Sequence, residues 1–125
     1  MGKAIVVVDD DPSVLKGIGR ILKHYGFHSE LFSSVDDFDS RARLNEAICL
    51  VLDINLNGKS GIELRRQLTR SGISIPVIYI TANDSGTIRK AAIDTGCIAY
   101  LTKPFPANAL MKAIEKAVAE SSRAQ

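Results

Sequence analysis

Acidic residues follow two apolar segments of this 125-residue sequence, at positions that a parallel sheet would bring together. Asp9 and Asp10 come directly after the first segment, and Asp53 follows a later one. Three carboxylates at one sheet edge repel one another and raise each other's proton affinity unless a cation lies among them. Oxygen ligands at an open edge favour Mg²⁺, which keeps waters and leaves positions for phosphate oxygens. The residue types therefore predict a magnesium site.

Two further segments also end in residues that can act on phosphate, namely Thr81 and Lys103. A hydroxyl donor and a compact cation, together with a metal, supply the charge stabilisation on which phosphoryl transfer depends. A carboxylate can attack phosphorus to give an aspartyl phosphate. Asp53 is the best candidate nucleophile because it ends the strand predicted to be central and stands alone in its loop. Asp9 and Asp10 then hold the metal.

Short apolar segments alternate with amphipathic ones along the chain, a pattern typical of an α/β fold. Helices between successive strands predict a right-handed, three-layer sandwich with five parallel strands and five helices. In such sheets ligands bind beyond the carboxyl ends of the strands. The predicted strands are residues 4–8, 27–32, 48–52, 76–80 and 98–101. The predicted helices are 12–25, 35–44, 60–71, the weaker 84–95, and a last one that includes 110–118.

The composition fits one compact domain, 1–125, with 46% hydrophobic residues and a formal net charge of +2. The 16 basic and 14 acidic residues are spread along the sequence, so we do not expect direct nucleic-acid binding. The first apolar run is too short for a membrane span or a signal peptide, which favours a cytoplasmic protein. Cys49 and Cys97 each begin an apolar segment and are expected to be small core residues.

From Ile5 to about Val118 the sequence resembles the receiver domain of two-component response regulators. Residues 7–12 (VVDDDP) resemble the acidic pocket of that family, and residues 52–53 (LD) the phosphoacceptor strand end. Residues 79–82 (YITA) resemble the switch-threonine motif, and residues 100–105 (YLTKPF) the lysine motif. The resemblance implies the flavodoxin-like strand order 2-1-3-4-5. It also implies a signalling module rather than an enzyme, phosphorylated by a histidine kinase or a histidine phosphotransfer protein.

The same resemblance assigns the metal ligands and the partner of the phosphate. Asp10, the Asp53 carboxylate and the main-chain carbonyl of Asn55 would bind Mg²⁺, and Asp9 would contribute through water. Lys103 would pair with the acceptor or its phosphate.

The resemblance also implies a switch. Thr81 would move toward the phosphoryl group and Tyr100 would swing inward behind it, altering the face made by the fourth helix, fifth strand and fifth helix. That face would control an unknown output protein or a phosphorylation-dependent dimer. Asn55 and Asn83 would flank the path of the water that removes the phosphate. The peptide bond before Pro104 is expected to be cis.

Two residues depart from the usual pattern of the family. Asn57 stands where a proline is usual, which predicts a looser loop after the acceptor. Pro106 stands where an acidic helix cap is common.

Two other classes of protein share part of this pattern. A small phosphatase of the haloacid dehalogenase type would use Asp9 as nucleophile, but it would leave Asp53 without a role and needs a cap domain. A flavodoxin-like FMN electron carrier needs a hydroxyl- and glycine-rich phosphate loop after the first strand. The aspartates found there would repel a flavin phosphate.

Overall fold

Five parallel strands form the central sheet of the structure, a computed structural model that describes residues 3–123. When the strands of this sheet alone are numbered, their order is β2-β1-β3-β4-β5, which confirms the predicted flavodoxin-like arrangement. The five strands are β1 (Ala4–Val8), β2 (His28–Phe32), β3 (Ala47–Asp53), β4 (Val77–Thr81) and β5 (Ala99–Thr102). Strands β1 and β4 are buried along their whole length, as apolar strands covered on both faces must be.

Helices cover both faces of the sheet and confirm the three-layer sandwich. Residues of α2, α3 and α4 pack in the core on one face, and residues of α1 and α5 pack in the core on the other. The helices are α1 (Pro12–His24), α2 (Val35–Arg41), α3 (Gly61–Arg70), α4 (Gly86–Asp94) and α5 (Ala107–Arg123).

Side-chain caps explain where the first four helices begin. The Asp11 carboxylate accepts a hydrogen bond from the amide of Ser13, two residues later. Ser34, Ser60 and Ser85 accept in the same way at the starts of α2, α3 and α4. Each cap satisfies an amide that has no partner within its own helix.

Helix α2 is shorter than predicted, because it ends at Arg41 and not near residue 44. Ala42 has extended backbone angles (φ −71°, ψ 137°), and a 3₁₀ turn follows at Leu44–Glu46. In a continued helix Leu44 would point about 200° away from Ala42, given 3.6 residues per turn. The early end lets both residues pack against the same core cluster.

A hairpin follows β3 where the missing proline predicted a looser loop. Asn55–Leu56 pairs antiparallel with Lys59–Ser60, and the two residues between them are Asn57 (φ 56°) and Gly58 (φ 88°). Two consecutive positive φ values are what a type I′ turn requires, and Asn-Gly is the pair that adopts them most readily. The segment is therefore a regular two-residue turn.

Gly61, the first residue of α3, lies very close to the end of β3. A Cβ atom at this position would collide with the main-chain carbonyl oxygen of Asp53. We expect Gly61→Ala to lower the free energy of unfolding by about 1–3 kcal/mol, the usual cost of overpacking. Gly17→Ala is the matched control, since a Cβ there meets nothing within 4 Å. It should be neutral or stabilising by up to about 1 kcal/mol. Urea unfolding measures both, and equal effects would contradict the close approach.

Candidate functional site

Three carboxylates converge at the carboxyl edge of the sheet. Strands β1 and β3 are neighbours, with Val8 opposite Leu52, so that Asp9 and Asp53 emerge side by side. Ligand atoms of Asp9, Asp10 and Asp53 all lie within 4.8 Å of one another. Asp9 is fully buried, Asp53 is 4% exposed and Asp10 is half-buried. The structure therefore brings together the acidic residues that the sequence predicted.

Lys103 joins two of these carboxylates. Its Nζ lies 2.7 Å from Oδ2 of Asp9 and 3.1 Å from Oδ2 of Asp53. The lysine follows β5, and its amide donates to the carbonyl of Thr81 at the end of β4. The peptide bond from Lys103 to Pro104 is cis, as the resemblance implies. Burial tends to lower the pKa of Lys103, but the hydrogen bonds to the two carboxylates outweigh it and raise the pKa above its usual value.

Ionisation of Asp53 is energetically unfavourable at this position. Burial and the nearby Asp9 raise its pKa, and the hydrogen bond from the Asn55 amide and the contact with Lys103 offset this only in part. Its Oδ1 accepts from the amide of Asn55 at 3.1 Å. The Oδ1 of Asp9 similarly accepts from the amide of Asp11 at 2.8 Å. Each oxygen of both buried carboxylates therefore has one partner.

The donor set fits a hard divalent cation. The cluster contains three carboxylates and one ammonium group, which contacts two of them. It therefore keeps an excess of negative charge, at an edge that is partly open at Asp10. All the available ligands are oxygens, which Mg²⁺ prefers, and the cluster contains no His or Cys that would favour zinc. The residues present are therefore able to hold such an ion.

Thr81 is buried at the end of β4 and is bonded to the loop that follows it. Its hydroxyl accepts from the amide of Asn83 at 3.0 Å and lies 3.3 Å from the carbonyl of the same residue, to which it donates. The side chains of Asn83 and Asn55 are exposed at the rim of the site. Thr81 is thus at the predicted edge, with its hydroxyl engaged by the loop backbone.

Tyr100 of β5 is half-buried, and its hydroxyl donates to Oδ1 of Asp84 at 3.0 Å. The guanidinium of Arg89 lies 4.6 Å from the centre of the Tyr100 ring. Asp84 and Arg89 were not predicted as site residues. Asp84 precedes α4 and Arg89 lies five positions later, a spacing that carries no helical pairing signal.

The cysteines are core residues, as expected. Cys49 is buried and Cys97 is half-buried, and both are free thiols. Burial raises the pKa of Cys49 to about 12, so it stays protonated and unreactive at neutral pH.

Comparison with known proteins identifies the family. Residues 5–115 match the response regulator receiver domain, and this range is most of the chain. The chain belongs to that family. Membership decides against the phosphatase of the haloacid dehalogenase type and the flavodoxin-like carrier. Within residues 3–123 no helix has the length and apolarity to span a membrane.

Two curated relatives illustrate how far the match extends. The response regulator protein TodT of Pseudomonas putida is 32% identical over 114 residues, which are 91% of this chain and 50% of TodT. The response regulator MprA of Mycobacterium bovis is 37% identical over 112 residues, which are 89% of this chain and 48% of MprA. The receiver thus spans about half the length of these relatives.

Solved structures agree on the fold. The response regulator StyR is 38% identical with a TM-score of 0.87, over 98% of this chain and 62% of StyR. A CheY-like receiver domain protein from Methanospirillum hungatei has the same TM-score at 22% identity and covers both chains completely. At that identity the likeness concerns the fold alone.

The raised pKa of Asp53 gives a prediction for stability without metal. Because the folded-state pKa lies above the unfolded one, the ionised carboxylate destabilises the fold above the unfolded-state pKa. At neutral pH and without divalent ions, Asp53→Asn should therefore raise the free energy of unfolding. The exposed Asp39 on α2 provides the control Asp39→Asn, which should change little. Unfolding in urea with EDTA measures both, and a destabilised Asp53→Asn would contradict the cause assigned to the shift.

Proposed function

We propose that this receiver accepts a phosphoryl group on Asp53 from a histidine kinase or a histidine phosphotransfer protein, as one step of a two-component phosphorelay. The observation that carries the proposal is the position of Lys103, whose ammonium group contacts both Asp9 and Asp53 beside the half-buried Asp10. A cation fixed beside a carboxylate nucleophile stabilises the oxygens of a phosphoryl group as it is transferred. Membership in the receiver family supports the same role.

In the proposed reaction a carboxylate oxygen of Asp53 attacks phosphorus in line with the bond to the donor. The phosphorus–donor bond breaks as the new oxygen–phosphorus bond forms, and the donor leaves with the electron pair. Lys103 is close enough to Asp53 to pair with the phosphoryl oxygens once they arrive. The receiver thereby catalyses its own modification.

Asp10, Asp53 and the main-chain carbonyl of Asn55 would hold Mg²⁺ in this proposal, with Asp9 contributing through water. Ligand atoms of Asp9, Asp10 and Asp53 lie within 4.8 Å of one another, close enough to surround one ion. When bound, the ion neutralises phosphoryl oxygens and offsets the repulsion among the carboxylates.

A protein donor would need a surface beside the acceptor, and one is available. An apolar groove of about 420 Å³ lies between α1 and the segment after β5, with Lys103 in its wall. A partner helix could lay an apolar face there and present a phosphohistidine at the rim of the site. The apolar lining consists of Val14, Gly17, Ile18, Ile21, Pro104 and Phe105.

Phosphorylation would act on the output through Thr81 and Tyr100. In this proposal Thr81 turns to the phosphoryl group, Tyr100 moves inward, and the face of α4, β5 and α5 changes for an output protein or a dimer partner in the cytoplasm. Ala92 is the one buried residue of α4, so this helix is held by little core packing. In this proposal Asn55 and Asn83, which are exposed at the rim, affect the access of the water that removes the phosphate.

Treatment with acetyl phosphate and Mg²⁺ tests the acceptor. We expect intact mass to show one phosphate adduct that is sensitive to hydroxylamine, lost with EDTA and lost in Asp53→Asn. Asp39→Asn should keep it, since that carboxylate is exposed on α2, away from the acidic cluster. An adduct retained in Asp53→Asn would overturn the assignment, and its location on Asp9 would favour the phosphatase chemistry set aside above.

Titration with Mg²⁺ tests the metal site independently of phosphate. An ion that binds only the folded state raises the free energy of unfolding, by about 2.7 kcal/mol at one hundred times its dissociation constant. We expect this gain in the unmodified receiver and a much smaller one in Asp10→Asn, with Asp39→Asn as control. Thermal unfolding across a Mg²⁺ series measures it. An equal gain in all three proteins would show that the ion binds elsewhere.

A further inference from the structure

Three side chains, from the loop before α4, from α4 and from β5, form a closed set of contacts. The Tyr100 hydroxyl donates to Oδ1 of Asp84 at 3.0 Å, and Arg89 donates to Oδ2 of the same carboxylate at 2.8 Å. The guanidinium of Arg89 lies 4.6 Å from the centre of the Tyr100 ring, within the range of a cation–π contact. Each of the three side chains therefore contacts both of the others. We call this set the tyrosine latch.

The latch is joined to the acceptor site through one short loop. The hydroxyl of the buried Thr81 bonds to both the amide and the carbonyl of Asn83, and Asn83 directly precedes Asp84. If the Thr81 hydroxyl turned toward a phosphoryl group, both bonds to Asn83 would break. The backbone that carries Asp84 would then lose its inner anchor.

We propose that Asp84 and Arg89 are positioning residues that hold Tyr100 at the surface in the unphosphorylated receiver and so oppose its inward rotation. This inference rests on the proposed function, in which Thr81 and Tyr100 move after phosphorylation. Asp84 and Arg89 thereby join Thr81 and Tyr100 in the proposed switch. Phosphorylation releases the latch through Thr81, and weakening the latch by mutation moves the receiver toward the phosphorylated conformation.

The strength of the latch suits a switch. The side chains of Arg89 and Asp84 are 46% and 40% exposed, so solvent screens their ion pair and keeps it weak. A strong latch would hold Tyr100 against the effect of one phosphate, whereas a coupling of roughly fivefold in the equilibrium is enough to bias two states. Ala92 is the one fully buried residue of α4, with Ile88 and Ala91 partly buried against the same core cluster, so the latch adds to a modest core contact.

An ordinary surface ion pair is the competing interpretation, and α4 supplies one for comparison. Lys90 lies 3.1 Å from Asp94 on the same helix, and both side chains are exposed. Loss of that pair removes a similar charge interaction without touching Tyr100. Lys90→Ala is therefore the matched control for Arg89→Ala.

Fluorine NMR of the protein labelled with 3-fluorotyrosine follows Tyr100 directly, with its signal assigned from Tyr100→Phe. The readout is the solvent isotope shift between H₂O and D₂O, which reports how far the ring is exposed. We expect Arg89→Ala and Asp84→Ala to reduce this shift, because the freed ring turns inward. Lys90→Ala should leave it unchanged. If Arg89 merely covers the ring, Arg89→Ala will instead increase the shift, and an increase or no change overturns the proposal.

Acetyl phosphate with Mg²⁺ gives the second arm of the experiment. We expect phosphorylation to move the Tyr100 signal in the same direction as Arg89→Ala. A phosphorylated receiver with an unmoved Tyr100 signal would overturn the coupling. Failure to phosphorylate Asp53 at all would overturn the proposed function, while the isotope shifts of the unphosphorylated variants would still decide whether the latch exists.

Discussion

The buried contact of Lys103 with Asp9 and Asp53 is the interaction on which the rest of the site depends. Removing charges from water is costly, and a buried carboxylate is tolerated only with a partner of opposite charge and with hydrogen bonds to its free oxygens. Here one ammonium group serves two carboxylates, and the amides of Asp11 and Asn55 satisfy the remaining oxygens. The arrangement needs β1 beside β3, and it needs β5 to lie two strands from β3, so that a long lysine side chain can reach across the edge. The strand order is therefore a condition of the chemistry.

The same contact neutralises the acidic cluster only in part, so the site keeps a net negative charge. The third carboxylate, Asp10, is half-buried at the open side of the cluster, where an added cation gains most from the negative field. A site with balanced charges would be more stable alone and would attract a metal less. The pKa of Asp53 is raised mainly by burial and further by the nearby Asp9 carboxylate, so its ionised form is destabilised unless more positive charge is added.

How much the sequence reveals depends on whether a feature is local. The continuous apolar runs of β1 and β3 and the starts of α2 and α3 are properties of neighbouring residues, and the structure confirms them. The contact between Lys103 and Asp9 joins residues 94 positions apart, and it could be expected only from the rule that strand ends meet, aided by the family resemblance. The looser loop was predicted only because Asn57 stands where a proline is usual in the family. Asn57 and Gly58 form the pair that is typical of the observed turn, a signal that the sequence analysis did not use.

The tyrosine latch could not be predicted in this way, because Asp84, in the loop between β4 and α4, meets Tyr100 of β5 only in the folded chain. No periodicity in either segment contains that information. What the packing does determine is where motion can occur. Helix α3 buries Gly61, Ile62, Leu64 and Leu68 and begins in contact with the end of β3, whereas Ala92 is the one buried residue of α4. If Asp53 is phosphorylated as proposed, the change there meets a closely packed layer on the α3 side and a more loosely held one on the α4 side. The same free energy displaces a loosely held helix further, which favours a response on the side of Tyr100.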